Sequence, residues 1–458
     1  MGDAKKKFIH DADNIAFNLK HRATIKFNIS KYDLAVDRGK KRYSNLELAK
    51  ERGSFIKQTA IEKLDEYLLD FEQNAQKKGI EVIWAEDSSD AIRAIVKILQ
   101  ENNAHLLVKS KSMTTEEIDL NEHVEQVGVH SLETDLGEYI VQLAGEKPYH
   151  IVTPCMHKSK EDIAELFHEK FDTPEKSTPE FLTAWVREKL RDNFVKADVG
   201  VTGSNFLVAD VGGIALTENE GNAMMTFSFP KVHIAIAGIE KVIPSINDLG
   251  LMWPLLAVHG TGQQITVYNS VVTGPRKPDE VDGPEKMYVI LLDNKRSELY
   301  RHPDQYLALK CIRCGACLNA CPIYKNIGGY TYAATYSGPI GSVITPFYNG
   351  FPEYNHLSSA CSVCGKCTEV CPVKIPLHNL LLFNRRDAVE QGSGSLVWDK
   401  GMKAYEFAFS KRGRLDAVGG KLKNKLAGLG KNALGEKKQV PHFADKSFSQ
   451  QWKEMQKK

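Results

Sequence analysis

The chain has 458 residues, 42% hydrophobic and 26% charged, with a formal net charge of +2. That balance suits roughly two to four packed domains and excludes wholesale disorder and a fibrous repeat, and so small a charge gives no footing for a nucleic-acid partner. No apolar run approaches the ~18 residues of a transmembrane segment, the longest candidate, Leu249 to Val258, being broken by Pro254; Met1 to Lys20 lacks a signal peptide's apolar core, so a cytoplasmic location is expected.

In chain order, residues 1–53 are polar, with a basic patch at Arg38, Lys40, Lys41 and Arg42, and read as a helical arm. From Ser54 a stripe through Ile61, Leu64, Leu68 and Phe71 predicts a long helix ending at Lys77, Lys78 and Gly79. A β/α alternation follows. Strands are expected at Ile80 to Ala85, His105 to Lys109 and His150 to Thr153, with helices at Ala91 to Gln100 and Glu116 to Gln126, which implies parallel crossovers. After helices at Glu161 to Lys170 and Glu180 to Phe194, strands are expected at Phe206 to Ala209, Gly213 to Thr217, Met225 to Phe229, Val232 to Ala237, Gln264 to Tyr268 and Met287 to Leu292, with a helix over Ser245 to Val258. The fold class is therefore α/β, with a mixed sheet domain over 54–300. A cysteine-rich domain over 301–385 and a basic helical or disordered region over 386–458 complete the chain.

Eight of the nine cysteines form two copies of one run, Cys311-Ile-Arg-Cys314-Gly-Ala-Cys317-Leu-Asn-Ala-Cys321-Pro322 and Cys361-Ser-Val-Cys364-Gly-Lys-Cys367-Thr-Glu-Val-Cys371-Pro372. Three thiolates within seven residues let one loop wrap a cubane, and in this type of run the fourth cysteine serves the other cluster. Two [4Fe-4S] clusters are expected, one on Cys311, Cys314, Cys317 and Cys371, the other on Cys361, Cys364, Cys367 and Cys321. Structural zinc is the alternative, although it usually takes separated pairs of cysteines. The aromatic connection Ile323 to Ala360 is long, which favours a helical two-cluster domain over a small β-hairpin type. Clusters so close together suit the passage of single electrons.

Several further motifs join these runs: Val108-Lys-Ser-Lys-Ser-Met113, Glu133-Thr-Asp-Leu-Gly-Glu138, Gly203-Ser-Asn205, Gly212-Gly-Ile-Ala-Leu-Thr-Glu-Asn-Glu-Gly-Asn222, Thr273-Gly-Pro275 and Tyr336-Ser-Gly-Pro-Ile-Gly341. Together they resemble the lactate utilization protein B family over about 55–390. The resemblance implies a LUD-type domain with the fold of ribose-phosphate isomerases and CoA transferases. It also implies an electron-carrier role in oxidation of L-lactate to pyruvate, with other lactate-utilization subunits as partners.

Lys109 and Lys111 lie at a strand's C-terminal end, and Thr114 with Glu117 reads as a capping box at the next helix, so an anion such as lactate could be held there; a solvated loop with ordinary capping is the alternative. Thr217-Glu-Asn-Glu-Gly221 is reminiscent of the CoA-transferase loop with a glutamate nucleophile, but Glu220 interrupts it. Glu218 and Asn222 join the lysines as candidate substrate residues, and no catalytic residue is assigned. Cys155 reads as a buried cysteine, His259 as loop structure, and no glycine-rich dinucleotide turn is found. Residues 399–458 hold fifteen Lys and Arg against six Asp and Glu, net +9. This tail reads either as a solvated terminus or as a docking surface for an acidic redox partner or an anionic membrane surface. An autonomous transferase or isomerase and an adaptor to a membrane quinone pathway are the alternative functions.

Overall fold

A computed structural model describes residues 3–393, 396–429, 439–440 and 442–457. It comprises two compact units, Met1–Ala388 and Val389–Lys458. In the first, the described strands are β1 (Ile80–Ala85), β2 (Leu106–Lys109), β3 (His130–Glu133), β4 (Val199–Thr202), β5 (Phe206–Val208), β6 (Gly213–Glu218), β7 (Val232–Gly238), β8 (Val242–Ile243), β9 (Tyr268–Val272) and β10 (Lys286–Leu292).

Six of them form a wholly parallel sheet in the order β1-β10-β7-β4-β2-β3. Val289 of β10 pairs with Val82 of β1 on one side and Ala235 of β7 on the other. These central strands are apolar almost throughout because both of their faces are covered: all of β7, and all of β10 after Lys286, is buried. The helix Ser88–Glu101 shows how a cover is built. The Asp87 side chain accepts from the Asp90 N–H at 2.9 Å, and Ala91, Ile95, Ile98 and Leu99 turn one apolar stripe toward the sheet core. The mixed pairing lies in a second sheet, β8-β5-β6-β9, where β6 runs antiparallel to both neighbours. Gly212, at φ +55°, makes the turn into β6, and a Cβ there would collide with the backbone of Asn74 and Ala75.

Several elements differ from the sequence expectations. Met225 to Phe229 lies at the end of a helix, Asn222–Ser228, because the Glu218 carboxylate accepts from the Ala223 and Met224 N–H groups and fixes its first turn. The strand expected at Gln264 to Tyr268 begins only at Tyr268, where pairing with Glu218 starts. His150 to Thr153 is a tight turn in which His150 Nδ1 accepts from the Val152 and Thr153 N–H groups. β3 went unread because its buried positions include Ser131 and Glu133. The helix expected from Ser54 is two, Leu46–Glu62 and Leu64–Gln76, broken at Lys63; the first crosses position 53. Asp119, at φ +49°, likewise splits the 116–126 helix.

The cysteine-rich segment is helical among its described residues, with Pro322–Ile327 and Gly338–Asn349 between the two runs. It shares one core with the rest of its unit: Ile25 and Ile29 of the N-terminal helix Leu19–Lys40 belong to the same buried cluster as Phe206, Leu318 and Tyr324. The preceding helix, Asp3–Ala16, is tied down by the Ala4 N–H donating to Glu353 at 2.7 Å and by Phe8 against Tyr332 and His356.

The second unit contains the helices Leu396–Phe409, Arg412–Asp416, Gly420–Leu429 and Phe448–Met455. Part of the tail expected to be disordered, 430–438, lies outside the described residues. Trp398, Tyr405, Phe407 and Trp452 are about half exposed or more.

Candidate metal centres and an adjoining cavity

The two cysteine runs repeat in backbone as well as in sequence. The residue two places after the first cysteine is left-handed in both, Arg313 at φ +59° and Val363 at φ +55°, and so is the glycine after the second cysteine, Gly315 at +77° and Gly365 at +76°. These reversals turn amides toward sulfur: the Arg313 N–H faces Cys311 Sγ at 3.4 Å and the Val363 N–H faces Cys361 Sγ at 3.2 Å. The fourth cysteines receive amides too, Cys321 from Tyr324 at 3.5 Å and Cys371 from Ile375 at 3.3 Å.

Cys311, Cys314, Cys317 and Cys371 line one small cavity, and Cys321, Cys361, Cys364 and Cys367 line another. Burial pushes the Cys371 thiol up to about 11 and that of Cys367 to about 12, and raises Cys314 and Cys317 as well. Thiols so placed keep their protons until a thiophilic cation displaces them, so each four-sulfur set, with its amide donors, fits an iron-sulfur cluster. Tyr324, Tyr332, Tyr336, Phe347 and Tyr348 are buried around the segment. Exposure is unequal: Cys314 and Cys371 are buried, whereas Cys364 is exposed.

A larger cavity, about 360 Å³, reaches Cys314 from the other side. It lies at the carboxyl ends of the parallel strands, where open α/β sheets commonly bind ligands: Ser110 to Ser112 follow β2, Gly203 to Asn205 follow β4, and Lys241 lies beyond β7. Of the candidate substrate residues, Lys111, Glu218 and Asn222 line it and Lys109 is absent from its walls. Lys111 Nζ donates to the Val152 carbonyl at 2.5 Å, and Asn222 Nδ2 donates to Thr134 Oγ1 at 3.5 Å. Burial raises the Glu218 carboxyl, and the Ala223 and Met224 amides partly oppose this.

Lys109 is fully buried behind the cavity, its ammonium 2.7 Å from Glu133 and 2.9 Å from Glu116. It thereby supplies the cation among Glu116, Glu133 and Glu138, carboxylates close enough together to hold a metal ion. The expected Thr114–Glu117 capping box is replaced. Ser112 caps that turn, and Glu117 pairs with Arg296 at 2.8 Å while accepting from the Tyr336 hydroxyl at 2.6 Å. Arg296 also meets Glu240 at 2.5 Å, and Arg313 reaches the same carboxylate at 3.3 Å. Burial alone would raise Glu240, but the two guanidiniums hold it at about 2. This buried chain joins the sheet's carboxyl edge to the first cysteine loop. Cys155 is pushed up to about 11 by burial, and His259, expected in a loop, is instead buried in the last turn of the helix Leu249–Gly260, where Nδ1 bonds the Leu255 carbonyl.

The architecture is that of a LUD domain, whose family description matches residues 68–292, followed by a 4Fe-4S dicluster domain matching 307–375, so the chain carries two [4Fe-4S] clusters. It is 44% identical to lactate utilization protein B 1 of Bacillus mycoides (strain KBAB4) over 365 residues, 80% of this chain and 76% of the relative. It is 42% identical to lactate utilization protein B of Bacillus thuringiensis (strain Al Hakam) over 367 residues, 80% and 77%. The chain belongs to the lactate utilization protein B family. A solved DUF162 family protein from Deinococcus radiodurans is 14% identical, covering 50% of this chain and 98% of its own, with a TM-score of 0.29.

Two cations that line the cavity, Arg313 and Lys241, are not among the residues the sequence suggests. Arg313 stands where the second run has Val363, but the two runs differ at every position other than the cysteines, the glycine and the proline, so the difference does not mark it out. Lys241 carries no signal either; its position beyond β7 emerges only on folding.

Proposed function

We propose that this chain is the iron-sulfur electron-transfer component in the oxidation of L-lactate to pyruvate, acting with other lactate-utilization subunits. The observation that carries the reading is the pair of four-cysteine cavities, each lined by the first three cysteines of one run and the fourth cysteine of the other, in a member of this family. On this assignment Cys311, Cys314, Cys317 and Cys371 hold the first cluster and Cys361, Cys364, Cys367 and Cys321 the second. The functional division is an arm at 1–53, the LUD-type domain at 54–300, the two-cluster domain at 301–385 and a basic docking region beyond.

Converting lactate to pyruvate releases two electrons and two protons, whereas each cluster takes one electron at a time. The pair is therefore split by a partner before it reaches this chain. The protein's own part is to seat the clusters, screen the first with Ile151, Ile312, Ile340, Val373 and Ile375, and leave the second near solvent at Cys364 for exchange with a partner. Among the described residues no helix is long and apolar enough to cross a membrane.

Anaerobic mixing with L-lactate tests this. The isolated chain should keep its iron-sulfur absorbance, and addition of the partner subunits should bleach it. Rapid bleaching of the isolated chain, or none in the complete set, would overturn the reading.

A further inference from the structure

Two cations on the wall of the 360 Å³ cavity lack a full set of partners. Lys241 is only 8% exposed, and its ammonium makes no hydrogen bond or ion pair among the described residues. The backbone that carries it is held by buried Lys57, which donates to the carbonyls on either side, Glu240 at 2.6 Å and Val242 at 3.1 Å. Arg313 is nine-tenths buried over the Tyr336 ring at 4.4 Å; Nη2 reaches Glu240, and Nη1 has no acceptor among the described residues. Native folds rarely leave a buried charged donor such as Arg313 Nη1 unmatched except where something else supplies the acceptor, and Lys241 stands beside it on the cavity wall.

The remaining walls narrow the ligand. Asp135, Glu218 and Glu220 also line the cavity, so its three cations, Lys111 included, face three carboxyl groups. A phosphate dianion would meet repulsion from that side. A monocarboxylate bearing a hydroxyl would place its anionic end on the cations and its donor on the acids.

We propose that Lys241 and Arg313 clamp the carboxylate of a small hydroxy acid, with its hydroxyl turned to the acidic wall, in a site that abuts Cys314. The proposal deepens the reading of the chain as a lactate-oxidation component by giving this subunit its own organic-acid site. Binding there requires neither a partner nor electron transfer.

The test uses the full chain with both clusters assembled, kept anaerobic without partner subunits, and measures ligand binding by calorimetry and ligand-observed NMR. L-lactate should bind, and propionate, which lacks only the hydroxyl, at least tenfold more weakly; millimolar inorganic phosphate should not compete. Lys241→Met should weaken lactate binding at least tenfold, and Lys241→Arg should restore part of it, with the iron-sulfur absorbance and electron paramagnetic resonance signal of the reduced clusters unchanged. Glu220→Gln, at an exposed position that does not threaten folding, should weaken lactate while leaving propionate unaffected. Absence of lactate binding, equal binding of propionate, displacement by phosphate, or wild-type affinity in both Lys241→Met and Glu220→Gln would each overturn the site. Loss of lactate-dependent bleaching in the complete subunit set, with binding intact, would count against the electron-transfer reading alone.

Discussion

Cys321 and Cys371 each stand in one run of the sequence and line the cavity of the other. Cys321→Ser should therefore damage the cluster held mainly by Cys361, Cys364 and Cys367, and Cys371→Ser the one held by Cys311, Cys314 and Cys317. The check is anaerobic iron and sulfide analysis with paramagnetic resonance of each variant, against about eight iron and eight sulfide in the parent. Loss confined to a residue's own run would refute ligand exchange. A second expectation concerns His233, fully buried with Nε2 2.8 Å from Thr202 Oγ1. Burial lowers its pKa from 6.5 to about 3. The fold holds this imidazole neutral while the unfolded chain protonates it, so stability is full above pH 6.5 and is lost progressively as pH falls from there toward 3. At pH 5 the loss is about 2 kcal/mol, measurable as a smaller drop between pH 7 and pH 5 in urea unfolding of His233→Gln than of the parent. At this scale the cysteines were legible because cluster ligation fixes their spacing. Lys109 was not, because its partners Glu116 and Glu133 arrive from a separate helix and from β3.

Among elements, the helix Asn222–Ser228 presses on β4, where a Cβ on Gly200 would overlap the Thr226 carbonyl. Gly200→Ala should cost about 3 kcal/mol in denaturant unfolding, and it should shift the helix whose first turn anchors Glu218. An unchanged midpoint would mean that the helix yields freely. Four of the six parallel strands, β1, β2, β7 and β10, could be read beforehand because burial on both faces makes the central ones continuous apolar runs, as in Val232 to Gly238, whereas β3 and β4 are four residues each and interrupted by Ser131, Glu133 and Gly200. Met225 to Phe229 could not. Its alternation of Met225, Phe227 and Phe229 with Thr226 and Ser228 looks like strand sequence, and the deciding interaction is a carboxylate on the preceding strand bonding the helix's own amides.

For the whole molecule, the order of an α/β domain before a two-cluster domain was plain from the change from strand periodicity to cysteine spacing. The joint core was not, since Ile25 and Ile29 reveal nothing of distant Leu318 and Tyr324. The basic second unit, with exposed Trp398, Tyr405 and Phe407, gives a further expectation. Deleting residues 399–458 should weaken association with partner subunits mainly at low salt, leaving cluster absorbance unchanged, as titration over a range of ionic strength would reveal. Retention of full, salt-sensitive affinity would remove the tail from the interface. The tie between Ala4 and Glu353 spans 349 residues of sequence. At translation rates of roughly 5–20 residues per second, the leading helix emerges from the ribosome on the order of 20 to 70 s before its seat has been synthesised. Until then Phe8 and its neighbours stay uncovered, a window in which a holding chaperone would improve yield and which closes shortly before the last cysteines, Cys361 to Cys371, are made and can receive metal.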